Sequence, residues 1–221
     1  MGPYRKELRA LLVLAFPIVS GHLLQMSMGF VDTVMVGPLG ANATAAVGLA
    51  SAVIGLVLVF GFGLCTPVHV FASAAHAAGE KEEASRVLVH GLFITGIFGI
   101  GLGALIHANI HLLERFSQDP EVVQLAKPFV ILAMWSAAPA LMGACLRNYC
   151  EALGRPWVPF WTLVIMVPAN VLLNYLLIFG KAGFPALGVT GAALGTLIAR
   201  LLQMALTLAF IFYSKQLRPT G

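Results

Sequence analysis

The chain reads as an all-α membrane protein, a bundle of six transmembrane helices. Three observations predict this. Of 221 residues, 59% are hydrophobic and only 10% charged, where a soluble domain carries about a quarter charged residues. The mean hydropathy is +0.92. The charges gather in short breaks between apolar runs of about 20 residues or more, the length that crosses a hydrocarbon layer. Lipid is therefore the solvent. A net charge of +4 spread over the breaks leaves no nucleic-acid footprint.

The spans are expected at 11–36, 44–72, 87–110, 122–145, 157–179 and 188–213. The first follows "MGPYRKELRA", a start that mimics a signal peptide, but the apolar pattern runs past Pro17 to Val36, too long for a cleaved leader. The others are separated by Gly/Pro or polar breaks: "GPLGAN", "AGEKEEASR", "HLLERFSQDP", "RNYCEALGRP" and "GKAGFPALG". In "SQDPEVV", Asp119 suits a helix cap, with Pro120 and Glu121 in the first turn. Cys65, Cys145 and Cys150 lie in or beside apolar segments without a CxxC pattern and read as unreactive thiols.

Six spans put both termini on one side. Arg5, Lys6, Arg9, Lys81, Arg86, Arg147, Arg155, Lys215 and Arg218 fall at the termini and in alternate breaks, while Arg115, Lys127 and Lys181 fall on the other side. Nine against three predicts cytoplasmic termini.

Within the first span, "GFVDTVMVG" contains Asp32. A charge at the centre of a membrane helix costs about 2.5–3.5 kcal/mol on insertion scales, so such residues face a polar interior and are functional candidates. The other eight acids lie in breaks or at span ends. Topology places Asp32 in the outer half with Asn170 and Asn174 of the fifth span and Thr190 and Thr196 of the sixth. Asn170 and Asn174 are four apart and share a helix face. Gln25, Met28, Gly29 and Asp32 form a matching stripe on the first span and are candidates for a cavity lining. Pro17 and Pro168 are expected to bend their helices and free carbonyls that need new partners. A carboxylate with amide and hydroxyl oxygens suits a hard cation such as sodium, and the same carboxylate can exchange a proton. Phe30, Trp135 and Met166 would extend an apolar lining adaptable to flat molecules. Arg200, about 15 Å below the outer start of the sixth span at 1.5 Å per residue, is the one deep base in this reading.

These segments resemble the multidrug and toxic compound extrusion (MATE) transporters, in particular their bacterial NorM-like branch. The matching words are "AFPIVSGHLLQMSMGFVDTVMVGPLGANATAAVGLA", "RNYCEALGRPWVPF", "VPANVLLNYLLIFG" and "PALGVTGAALGT". The resemblance implies one lobe of a two-lobe transporter that exports amphipathic organic cations in exchange for sodium ions or protons. It also implies that Asp32, Asn170, Asn174 and a threonine of the sixth span line the cavity of the amino-terminal lobe. Some relatives carry an aspartate where Asn174 stands. The second six-helix lobe is missing here, so a fragment, or a half completed by a second copy, is expected, unable to transport alone. No cofactor is implied beyond a candidate sodium ion, and no enzymatic activity.

Three rival readings follow from the residues. A flippase of a lipid-linked sugar shares the architecture but would line its cleft with several cationic groups. A half-length membrane subunit that transports nothing is the second. An intramembrane metalloenzyme could rest on His107 and His111 in "HANIH", but Ala108 replaces the glutamate of HExxH and no third ligand is evident. His22 is the one histidine near the expected cavity.

Overall fold

The structure is a computed structural model. It describes residues 3–116, 119–214 and 217, without the side chains of residues 3–6, 9–10 and 116. Lys215 and Arg218, two of the nine bases that set the orientation, lie outside the described residues, as do the side chains of Arg5, Lys6 and Arg9.

Seven α-helices account for six spans among the described residues: α1 (Pro3–Val36), α2 (Ala41–Ala78), α3 (Lys81–Ala108), α4 (Pro120–Trp135), α5 (Ala137–Ala152), α6 (Trp157–Phe179) and α7 (Gly188–Tyr213). Short 3-10 segments, Gly37–Leu39 and Ile110–Phe116, join α1 to α2 and lead toward α4. Helix is the expected solution where no water satisfies backbone groups. Six segments are long and apolar enough to cross a membrane, with α4 and α5 together forming one of them.

The fourth span departs from the expected single helix over 122–145. It breaks at Ser136 and continues to Ala152, taking in most of "RNYCEALGRP". Pro139 supplies the reason: it has no N–H for the carbonyl of Trp135, one turn back. Ser136 lies wholly buried at the break, and its hydroxyl donates to the Ala133 carbonyl at 2.6 Å. The break expected at 78–86 shrinks to Gly79 and Glu80, with Gly79 in the left-handed conformation at φ 77°. Lys81 and Arg86 thus sit in the opening turns of α3. Helices α1 and α6 run unbroken through Pro17 and Pro168. The cap at Asp119 forms as expected, its carboxylate accepting from the Glu121 N–H at 2.9 Å.

Glycines let the helices approach. On α3, a Cβ at Gly99 would overlap the Ala138 backbone of α5, and one at Gly103 would come within 3.3 Å of the Met134 carbonyl. On α7, a Cβ at Gly191 would lie 2.5 Å from the Leu177 carbonyl oxygen of α6. This is small-residue packing, the usual way membrane helices gain contact where lipid offers no hydrophobic drive. Polar clasps add to it. Asn42 donates to Glu121 at 2.7 Å between the starts of α2 and α4, and Asn148 of α5 donates to the Cys65 carbonyl of α2 at 2.8 Å. Cys65, Cys145 and Cys150 are buried and free. In the resulting bundle α6 packs between α1 and α7, while α4 and α5 pack against α2, α3 and α7.

Candidate ion site between α1, α6 and α7

Asp32 is buried, with 7% of its surface exposed. Its carboxylate accepts two hydrogen bonds from two different helices. Asn174 Nδ2 of α6 donates to Oδ1 at 2.6 Å, and Thr196 Oγ1 of α7 donates to Oδ2 at 2.8 Å. The Thr196 hydroxyl also lies 3.0 Å from the Ala192 carbonyl and has one proton for both acceptors. Short bonds to an ionised acceptor are about twice as strong as neutral ones. Asn174 and Asn170 are more deeply buried than Asp32, and Thr196 is buried to nearly the same degree.

The notable feature is what lacks a partner. Asn174 Oδ1 is shut off from the surface and accepts no hydrogen bond, and Asn170 one turn back on α6 has neither amide atom paired. Buried polar groups are paired in the great majority of cases, and each orphan costs about 1–3 kcal/mol. The Asn174 amide is seated with Nδ2 on Asp32 and Oδ1 against α7 by a packing detail that the sequence reading passed over. Gly195 presents no Cβ to Asn174, and a methyl there would fall on Oδ1. The spacing Gly191–Ala192–Gly195–Thr196–Ala199 marks the α7 face that meets α6, a signal present in the sequence.

The other candidates separate. Thr190 is not part of the cluster; it lines a surface hollow with Asn42, Glu121 and Pro128. Six residues along a helix turn the face by about 240°, so Thr190 and Thr196 cannot both face Asp32. Met28 is buried against Met166 and Ala199 as packing rather than as an open lining. Gly29 is exposed, with nothing within 4 Å of a Cβ built on it. Gln25 lines a different cleft with Arg147, Arg200 and Gln203. Phe30 is exposed, and Trp135 turns toward α3, donating through Nε1 to His107 Nδ1 at 3.3 Å. His22 is exposed. Among the described residues no group of three metal-ligating side chains forms, around His107 and His111 or elsewhere.

Arg200 is not alone in depth. Its Nη1 donates to Ser136 Oγ at 2.7 Å, anchoring α7 to the break between α4 and α5. Arg147, expected in a cytoplasmic loop, sits on α5 and lines the same cleft, with its Nε buried and unpaired.

Residues 17–176 match the MatE family model. The chain belongs to the MatE family. It is 33% identical over 219 residues to a probable multidrug resistance protein NorM of Synechococcus, covering 97% of this chain and 46% of that protein. It is 32% identical over 203 residues to a probable NorM of Rhizobium meliloti, covering 92% and 44%. Solved structures give the same fold. A eukaryotic MATE transporter superposes with a TM-score of 0.86 at 20% identity, over 98% of this chain and 48% of that one. A MOP superfamily transporter from Pyrococcus furiosus does so with 0.83 at 23% identity, over 92% and 44%. The MatE chain thus spans about half the length of the relatives it matches. It is a multi-pass membrane protein with the architecture of one MATE lobe.

Proposed function

We propose that this chain is the ion-coupling half of a MATE-type antiporter of the bacterial inner membrane. In this reading both termini are cytoplasmic, and the whole transporter exports amphipathic organic cations against an inward flow of sodium. Asp32 supplies the charge. Asn170, Asn174 and Thr196 supply the further oxygens that a hard cation prefers. A second six-helix lobe, or a second copy, would complete the export path.

One observation carries the choice of sodium over a proton: the unpaired oxygens of Asn170 and Asn174, buried next to Asp32. A proton needs only the carboxylate. A metal ion gives the amide oxygens the partner they lack. Because the Asp32 clasp joins α1 to α6 and α7, occupancy of the site bears directly on how those helices meet. An organic cation nearby would compete for the same single negative charge, which is the condition for exchange.

The test is the thermal stability of the purified chain in detergent as sodium replaces potassium at constant ionic strength. Sodium should raise the melting temperature saturably. Asp32→Asn should abolish that response while the chain still elutes as a folded species. Equal stabilisation by the two ions, or an unchanged sodium response in Asp32→Asn, would overturn the assignment.

A further inference from the structure

Two half-buried guanidinium groups share one cleft of the bundle, and neither has a carboxylate within 4 Å. Among the described residues the ion pairs are Arg86–Glu83 and Lys127–Glu114, both remote from this place. Arg200 has a neutral hydroxyl as its partner, and Arg147 Nε has none. Glu151, one turn beyond Arg147 on α5, is not within 4 Å of it. Charges in a protein interior are ordinarily paired, because an isolated one costs several kcal/mol. Two left unpaired together point to an anion that is not part of the chain.

The cleft is built for one. Gln25 of α1, Phe62 of α2, Gly143 and Arg147 of α5, and Arg200 and Gln203 of α7 line it. Gly143 keeps it open, since nothing stands within 4 Å of a Cβ placed there. The free volume is about 30 Å³. A water needs about 10–15 Å³ on that measure, so the space holds two or three oxygen-sized atoms. That admits the two oxygens of a carboxylate and is short for the four of a phosphate. Guanidinium forks match carboxylates in two-point geometry, and Gln25 and Gln203 bring further N–H donors. The body of the acid lies outside that space, at the mouth of the cleft, where Phe62, 40% exposed, offers an apolar surface.

We infer that the cleft between α1, α2, α5 and α7 is a binding site for the carboxylate of a small amphipathic acid, held by Arg147 and Arg200. The site is separate from Asp32, and the inference uses no step of the sodium reading.

The probe is benzoate, added to the purified chain in detergent at constant ionic strength, with benzamide as its neutral counterpart and inorganic phosphate as a second anion. Benzoate should raise the melting temperature saturably, and benzamide and phosphate should not. Arg147→Gln should weaken the benzoate response at least tenfold. Gly143→Leu, which fills the cleft and keeps both arginines, should remove it. Both variants are compared by elution profile and helical signal, so a folding defect is seen directly. Three results would overturn the inference: no response to benzoate, an equal response to benzamide or phosphate, or undiminished benzoate binding by Gly143→Leu.

Discussion

The contact between Gly195 and Asn174 allows a test of the ion site that leaves every polar atom of the wild-type cluster in place. In Gly195→Ala the new methyl falls on Asn174 Oδ1, with Asn174 Cγ at 3.4 Å and its backbone N at 3.5 Å. The backbone nitrogen belongs to a helix and resists movement; the amide is the far end of a short side chain and gives way. Turning it carries Nδ2 off Asp32 Oδ1 and breaks the 2.6 Å bond. A hydrogen bond to a charged group contributes about 1.5–3 kcal/mol, and overpacking adds about 1–3 kcal/mol. We expect Gly195→Ala to destabilise the chain by about 2.5–6 kcal/mol, the sum of the two, and to weaken sodium binding tenfold or more.

The decisive form is a double-mutant cycle with Asn174→Ala, read by denaturation in mixed detergent micelles. With Asn174 truncated there is no oxygen to strike and no bond left to lose, so Gly195→Ala should cost under about 1 kcal/mol in that background. The expected coupling is therefore at least about 1.5 kcal/mol, as for residues in direct contact. An equal cost in both backgrounds would mean that α6 and α7 separate instead, and the argument that Gly195 seats the amide would be wrong.

Three further outcomes follow from the same contacts. Asn170→Ala removes two unpaired buried atoms, so without sodium it should stabilise the chain by about 1–3 kcal/mol, yet it should blunt the sodium-induced rise in melting temperature; a loss of stability in both conditions would refute this. Gly99→Ala should destabilise by about 1–3 kcal/mol because its Cβ meets the Ala138 backbone, whereas Gly101→Ala, which meets nothing within 4 Å, should be neutral or mildly stabilising; equal effects in denaturation would contradict the packing. Between α3 and α4, Glu114 lies outside the spans and accepts a hydrogen bond from the Lys127 ammonium of α4 at 2.6 Å, which holds its carboxyl below the usual glutamate range. The pair therefore acts at neutral pH and is lost as pH falls through the depressed value. Lys127→Gln should return the Glu114 titration, followed by carboxyl NMR, to the ordinary range.

Much of this was legible in the sequence because lipid imposes such simple demands. Length, apolar content and the placing of charges give six spans, and the scarcity of interior acids singles out Asp32. The i,i+4 spacing of Asn170 and Asn174 puts both on the face that the structure turns toward Asp32. The misses share one cause: hydropathy reports depth and says little about azimuth. It could not choose Thr196 over Thr190, though the run of small residues beside Thr196 marked the packed face. It read Arg147 as a loop residue because it is charged, and it missed the break at Ser136 because "AMWSAAPALMG" is apolar on both sides. Pro139 was the available signal. Gln25 and Met28 share the Asp32 stripe on α1, yet each turn inward along that stripe meets a different neighbour.

That stripe relates the two polar clusters of the bundle to one another. Moving inward from Asp32, Asn170 and Thr196, the next turn of each helix brings Met28 on α1, Met166 on α6 and Ala199 on α7, which pack together as a buried apolar cluster. Arg200 stands beside Ala199 in that same turn of α7, and Gln25 and Gln203 lie about one turn further along α1 and α7 in the arginine cleft. Thr196 and Arg200 are four apart, about 6 Å along α7 at 1.5 Å per residue, yet Asp32 and Arg200 form no ion pair. Direct pairing would satisfy both charges and leave neither able to take up a mobile ion. Asp32 is clasped by neutral donors, and Arg200 is anchored on a neutral hydroxyl at the Ser136 break. Since α7 carries both Thr196 and, one turn on, Arg200, displacement of this one helix is felt at both polar clusters. Coupling between them would therefore need no longer pathway than a single turn of α7.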